Sequence, residues 1–306
     1  MSRPHALVLL NPAARHGRAA RLWERVRPEV EERFEPEVVP LDPSGAWRAA
    51  IGSSLGAGTR VVVAAGGDGT VHALAEAVTV ERGNVPLREI TLGAVGLGSS
   101  NDFHKPVARR IAGIPVRLEA ARAAPRDLGR VRWQNPEGGA HETVLVVSAS
   151  AGLVADGNVL FSSGRLGRFL PAVAIAAAAL RAIARNRRVR LLLRPGGASR
   201  PVALSSFSVL KTPWLSGCLR YDVPVAHDDG LFAVALCEAA SRWRLLWTLA
   251  SLFRGRFAGR PGTRTFCTAA LEIEAESPFP LEIDGEVVVA RGAAFDLFPE
   301  RLLACA

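Results

Sequence analysis

Ten residues constrain this chain more than any others. Val61-Val62-Val63-Ala64-Ala65 runs directly into Gly66-Gly67-Asp68-Gly69-Thr70, and a helical pattern follows over Thr70–Val80. Five consecutive apolar residues, three of them β-branched, read as a strand buried on both faces, as in a parallel sheet covered by helices. Three glycines then let the backbone come close to whatever lies beyond the sheet edge. The N–H groups and dipole of the helix start favour phosphate there. The lysine and spacing of a Walker loop are absent, and so is GxGxxG. A tight strand-to-helix turn would also need glycine, but Asp68 adds a carboxylate where a metal–phosphate would sit.

The surrounding sequence repeats this rhythm. Ala6–Leu10, Val38–Leu41 and Ile90–Val95 read as further strands, with helices over Arg18–Phe34 and near Ala46–Leu55. Strands alternating with helices predict a doubly wound, three-layer α/β domain. Two more loops follow strand ends: Asn11 to Gly17, and the glycine-rich Gly93 to Phe103. Loops beyond the carboxyl ends of parallel strands share one edge, so Asn11, Asp68 and Asp102 are expected to converge.

After about Asp127 the pattern becomes strand-rich. Thr143–Ser150, Val189–Arg194, Val202–Lys211, Leu231–Glu238, Phe266–Glu276 and Leu281–Ala290 all suggest strands, separated by turn chemistry such as Asp-Asp-Gly and Ser-Pro. Helices are expected near Gly167–Arg187 and Ser241–Phe253. The predicted organisation is an α/β domain over 1–126 and an antiparallel β-sandwich over 127–306, with the extreme C-terminus able to return to the first domain.

Taken in order, NP-x5-G from Asn11, GGDGT from Gly66, G-x-G-x2-ND from Gly96 and DGE at Asp284-Gly285-Glu286 form a set. This set resembles the diacylglycerol kinase catalytic-domain family, which includes bacterial soluble lipid kinases and the sphingosine and ceramide kinases. GGDGT alone is shared with NAD kinases and, more loosely, phosphofructokinases; the four motifs together are far more specific. An NAD kinase and a non-catalytic nucleotide- or anionic-lipid-binding protein of the same fold are the rival readings.

The resemblance implies transfer of the γ-phosphoryl group of ATP, with Mg2+, to a hydroxyl of a diacylglycerol-like or sphingoid lipid. It implies a nucleotide-binding domain, a lipid-binding β-sandwich and ATP–Mg in the cleft between them. Asn11, Gly66, Gly67, Asp68, Gly69 and Thr70 match the family's first nucleotide contacts. Gly98, Ser99, Asn101 and Asp102 lie in its second loop. Asp68, Asp102 and Asp127 are the acidic network expected to organise magnesium. Asp284 matches the proposed general base, with Glu286 beside it, although Asp284-Gly285 also reads as a hairpin turn. Asp229 is similar to an aspartate that holds a second, structural magnesium with carbonyls near Ala226 and Leu231; Asp228-Asp229-Gly230 also reads as a plain turn. The chain departs from the family at Arg15, His72 and Ala73.

Composition adds the partners. Lys+Arg total 38 against 29 Asp+Glu, a net charge of +9, and the only lysines are Lys105 and Lys211. Such a balance predicts attraction to an anionic partner. No RNA- or DNA-recognition motif supports nucleic acid. The segment Ser241–Arg256 carries Trp243, Trp247, Leu246, Leu249, Ala250 and Phe253, with arginines at both ends. It reads either as a helix packed on the β domain or as one lying on an anionic membrane. A basic cluster of Arg181, Arg185, Arg187, Arg188 and Arg190 allows the same two readings. Four scattered cysteines suggest neither zinc nor a disulfide framework. With no leader pattern and no apolar run long enough to span a bilayer, a cytoplasmic protein with peripheral membrane contact is expected.

Overall fold

The computed structural model describes residues 3–156, 177, 180–185, 189–195, 200–238 and 241–306. The helix expected over Gly167–Arg187 lies largely outside them, as do Arg187 and Arg188. By its contacts the chain divides into one unit of residues 1–128 with 298–306 and a second of 129–297. The division falls two residues after the expected 126/127 boundary, which places Asp127 in the first unit.

In the first unit, apolar runs form β1 (His5–Leu10), β3 (Val61–Gly66) and β4 (Thr91–Gly96). With β2 (Glu35–Pro40) they make a parallel sheet in the order β2-β1-β3-β4. α1 (Ala19–Arg33) places Trp23, Val26 and Val30 against Ala6, Val8, Val61, Val63 and Ala65. Side chains alternate across a strand, so Leu7, Leu9, Val62 and Ala64 face the other way. On that side lie α2 (Ala46–Gly56) and α3 (Asp68–Glu81), which pack on each other. Helices on both faces explain why β3 is buried at every position. The expected strand at Val38–Leu41 begins three residues earlier and lies at the sheet edge, largely exposed. The last residues add a strand through Leu303 and Ala304, parallel to β4.

The second unit is antiparallel throughout. Two long strands, Arg200–Leu210 and Leu271–Ile283, flank a central row made half by Ser148–Gly152 and half by Val189–Pro195. Beyond the first lie Phe232–Glu238 and Thr263–Thr268; beyond the second lie Glu286–Leu297, Gly129–Gln134 and Ala140–Leu145. Phe232–Glu238 is covered on both sides. Phe232, Val234 and Leu236 join the main core, while Ala233, Ala235 and Cys237 pack with Leu245 and Leu252 of α4 (Arg242–Leu252).

Three expected strands differ. Thr143–Ser150 is two strands, because the N–H groups of Val146 and Val147 turn to the Asp284 carboxylate. Phe266–Glu276 contains the end of one strand and the start of the next, with a break before Leu271. Leu281–Ala290 is the tip of a hairpin, and Ser277-Pro278 lies within its first strand. Pairing there shifts between Glu274 and Phe279, an irregularity where proline's missing donor is tolerated. Among the described residues no helix is long and apolar enough to cross a membrane.

Candidate functional site

In the first unit the three expected loops meet at the carboxyl ends of β1, β3 and β4. Asn11 leaves β1 and donates its backbone N–H to Ala65 O at 2.9 Å. Its side-chain Nδ2 reaches Thr70 Oγ1 at 3.1 Å, and its Oδ1 accepts from Ala13 and Ala14. Thr70 is buried against Gly66, where an added Cβ would lie 2.1 Å from Thr70 Oγ1. Gly67 precedes α3 in extended conformation and approaches the second loop so closely that a Cβ on Gly98 would fall 2.4 Å from Gly67 Cα. Leu97 closes the pair by donating to Gly66 O at 2.7 Å. A Cβ on Gly69 would meet nothing within 4 Å, so the chain's own packing does not demand glycine there.

Asp68 opens α3, and its Oδ1 accepts the Phe103 N–H at 2.9 Å, tying the two loops together. Asn101, at φ +50°, folds its amide back onto its own loop: Oδ1 accepts from Gly98, and Nδ2 donates to Gly96 O and Gly98 O. It positions the loop from within. Ser99 is exposed at the rim. Arg15, His16 and Gly17 take positive φ in succession, so the departure at Arg15 falls on a left-handed residue. His72 is buried in α3 and His104 beneath the second loop. Burial, with the charge of Arg117 second, pushes the His104 imidazole down to about 4.

Two of the three aspartates expected to organise magnesium are paired with basic side chains of the same chain. Asp102 is buried and ion-paired with Lys105 at 2.7 Å, and Asp127 is buried and paired with Arg301 at 2.7 Å. Among the described residues no group of three or more His, Cys, Asp or Glu side chains could hold a metal ion. A buried carboxylate needs a partner, and Lys105 and Arg301 supply it for Asp102 and Asp127.

In the second unit Asp284 and Gly285 form a two-residue hairpin turn, with φ +49° and +99°. Both positive values match the turn that suits twisted strands. The Asp284 carboxylate is buried and accepts three backbone N–H groups: Val146 at 2.7 Å on Oδ2, and Val147 at 2.8 Å and Ser148 at 2.9 Å on Oδ1. Its own N–H donates to Ser148 O. Glu286, expected beside it, is exposed. The buried neighbour is Glu282, whose Oε1 accepts the Gly285 N–H at 2.6 Å. Sequence reasoning passed over Glu282 because it sits one residue before a buried isoleucine and so reads as outward.

Asp229 stands with the two carbonyls expected beside it, and the ammonium of Lys211 lies among them. The carboxylate accepts from Leu231 N at 3.0 Å and faces the ammonium of Lys211 at 3.6 Å. Lys211 also donates to the carbonyls of Ala226 and Leu231. Those are the oxygens a structural magnesium was expected to use.

Comparison with known proteins accords with both units. The diacylglycerol kinase catalytic domain matches residues 5–129, and the YegS C-terminal NAD kinase beta sandwich-like domain matches 147–305. The chain belongs to the diacylglycerol-kinase-type lipid kinase family, in its YegS-like two-domain form. A protein of Pseudomonas savastanoi pv. phaseolicola named "Probable lipid kinase YegS-like" is 34% identical over 141 residues, 43% of this chain and 41% of that protein. One of the same name from Pseudomonas aeruginosa PAO1 is 40% identical over 93 residues, 28% of each. Both matches span less than half of the relative. A crystal structure of a diacylglycerol kinase from Bacillus anthracis str. Sterne shares the fold at TM-score 0.68 and 14% identity, covering 100% of this chain and 97% of that one.

Proposed function

We propose that the chain phosphorylates a lipid hydroxyl, using ATP and Mg2+, with a diacylglycerol-like or sphingoid lipid as acceptor. One observation carries this reading: two glycine loops on one sheet edge touch at Gly67 and Gly98, with Asp68 bridging to Phe103 beside them. Glycines there leave room for a polyphosphate against backbone and helix start. The unexplained glycine at 69 adds to that room.

Magnesium fits as a partner of phosphate rather than in a protein cage. Mg2+ is commonly held by one or two carboxylates together with substrate phosphates, and Asp68 is the carboxylate at this loop. When bound, the metal supplies neutralisation of phosphate charge. Asn11 and Thr70 hold the first loop to the strand end. Asp284, fixed by its three N–H donors, takes the acceptor hydroxyl's proton on a carboxylate oxygen. Exposed Val287 and Val289 on the strand that follows offer apolar surface suited to a lipid.

The membrane partner is assigned to α4. Leu245 and Leu252 are buried, whereas Trp243 is 76% and Trp247 68% exposed, one turn apart, with Phe253 exposed at the helix end. Aromatic side chains flanked by arginines suit the headgroup region of an anionic bilayer. This reading keeps the expected cytoplasmic protein with peripheral membrane contact.

The deciding experiment incubates the full chain with radiolabelled ATP, MgCl2, a total lipid extract and, in parallel, NAD. A labelled lipid product is expected. Labelled NAD phosphate with no labelled lipid would replace the assignment with NAD kinase. No label on either acceptor would leave a binding protein of this fold.

A further inference from the structure

Lys211 follows the long strand Arg200–Leu210, and its side chain is 0% exposed. The ammonium donates to Leu231 O at 2.8 Å and to Ala226 O at 3.2 Å, and lies 3.6 Å from Asp229 Oδ1. Two carbonyls and one carboxylate around a buried centre make a cation site. A cation that belongs to the chain itself already fills it. We infer that Lys211 takes the place of a structural divalent metal in the second unit, so that the 226–231 turn folds without a metal ion.

Three physical reasons support this. An ammonium has three N–H donors and no acceptor, and here it donates to two carbonyls and pairs with a carboxylate. Mg2+ demands near-octahedral ligands at about 2.0–2.1 Å and dehydrates reluctantly, and it would have to share these oxygens with a fixed positive charge. Composition gives the third reason. All but two of the 38 basic residues are arginine, and the site holds one of the exceptions. A planar guanidinium with five forked donors suits carboxylate and phosphate edges, whereas the compact ammonium behaves as a point charge. Only the ammonium can stand where an ion would.

The backbone at Lys211 also adjoins the loop that holds Asp284. Lys211 N donates to Val147 O at 2.9 Å, and Val147 N donates to Asp284 Oδ1 at 2.8 Å. His227 Nδ1 lies 3.1 Å from Lys211 O, holding the turn from its other end.

The test is thermal unfolding of the nucleotide-free full chain, in excess EDTA and in millimolar MgCl2. The wild-type midpoint is expected to be the same in both. Lys211→Met keeps the apolar length and removes the charge, leaving the Ala226 and Leu231 carbonyls and the partly exposed Asp229 carboxylate without the ammonium. Its midpoint is expected to fall by on the order of 10 °C, with part of the loss regained in Mg2+ or Ca2+. A wild-type midpoint that drops in EDTA, and loses that sensitivity in Asp229→Asn, would overturn the inference. So would a Lys211→Met variant as stable as wild type. If Lys211→Met does not fold, the wild-type measurement decides, together with elemental analysis expected to find no stoichiometric magnesium. Unfolding midpoints report folding and not phosphoryl transfer, so this outcome is separate from that of the kinase assay.

Discussion

The glycine loops of the first unit and the Asp284 and Lys211 sites of the second are built by opposite means. In the first, the site is made by removing side chains: Gly66, Gly67 and Gly98 bring backbone against backbone, and a Cβ at Gly66 or Gly98 would collide at 2.1 or 2.4 Å. In the second, the charged groups are buried and answered by the chain itself. Three N–H groups face Asp284, and two carbonyls with a carboxylate face Lys211. The first arrangement leaves side-chain space empty, while in the second the chain's own groups meet each charge. The contrast sets close backbone approach in the glycine loops against side-chain charges met by the chain's own groups.

Asp284→Asn tests the contrast most strongly. Loss of a positioned base typically costs about 10²–10⁴-fold in turnover, with nucleotide binding retained. An amide keeping Oδ1 toward Val147 and Ser148 also turns its NH2 against the Val146 N–H, a buried loss of about 1–3 kcal/mol. Turnover and unfolding midpoint should therefore fall together. A stable variant with normal turnover would remove Asp284 from the chemistry.

Acid should strike the first unit. His104 is held neutral in the fold at a value of about 4, against 6.5 for the free side chain. Below 6.5 the unfolded chain binds the proton first, so stability falls as pH drops from about 6.5 to about 4. It changes no further from this source once both states are protonated. The full effect is about 3 kcal/mol. Urea titrations across that window should show the slope, and His104→Asn should flatten it whatever the variant's own stability. An unchanged slope would trace acid lability to other groups.

Gly98→Ala comes next. Overpacking of this kind costs about 1–3 kcal/mol, and here the obstacle is the backbone of Gly67. Nucleotide affinity, measured by calorimetry, should fall by roughly ten- to a hundredfold, with the second unit's contribution to folding untouched. An alanine tolerated without loss would mean that the loops need not touch. The smallest effect on the fold belongs to Trp243→Ala/Trp247→Ala, which should weaken co-sedimentation with anionic vesicles. Exposed positions leave stability within about 0.5 kcal/mol. Unchanged vesicle binding would return α4 to a purely packing role.

Much of the first unit is legible in sequence because its signals are local. A buried run ending in glycines fixes β3, the turn and the start of α3, and the same reasoning brings Asn11 to Thr70 across 59 residues through sheet topology alone. The second unit is less legible. The Asp284-Gly285 turn could be read from its residue types, but the break at Val146-Val147 could not. Nothing in Thr143–Ser150 reveals that a carboxylate 137 residues away takes its N–H groups. Ser277-Pro278 looks like a turn and is a strand irregularity instead. Lys211 left one faint trace, its rarity among arginines.

What the sequence by itself determined is the order of elements, the four motifs and the glycines that only a close backbone approach requires. These follow from short-range sterics and hydrophobic periodicity, which neighbouring residues express directly. Which charges pair was decided only by the tertiary structure: Asp102 with Lys105, Asp127 with Arg301, Glu282 with the Gly285 N–H, and Asp229 with Lys211. A buried charge must find its partner wherever the fold brings one, and that partner is set by geometry rather than by sequence distance. For this reason residues that read as magnesium ligands became partners of the chain's own cations.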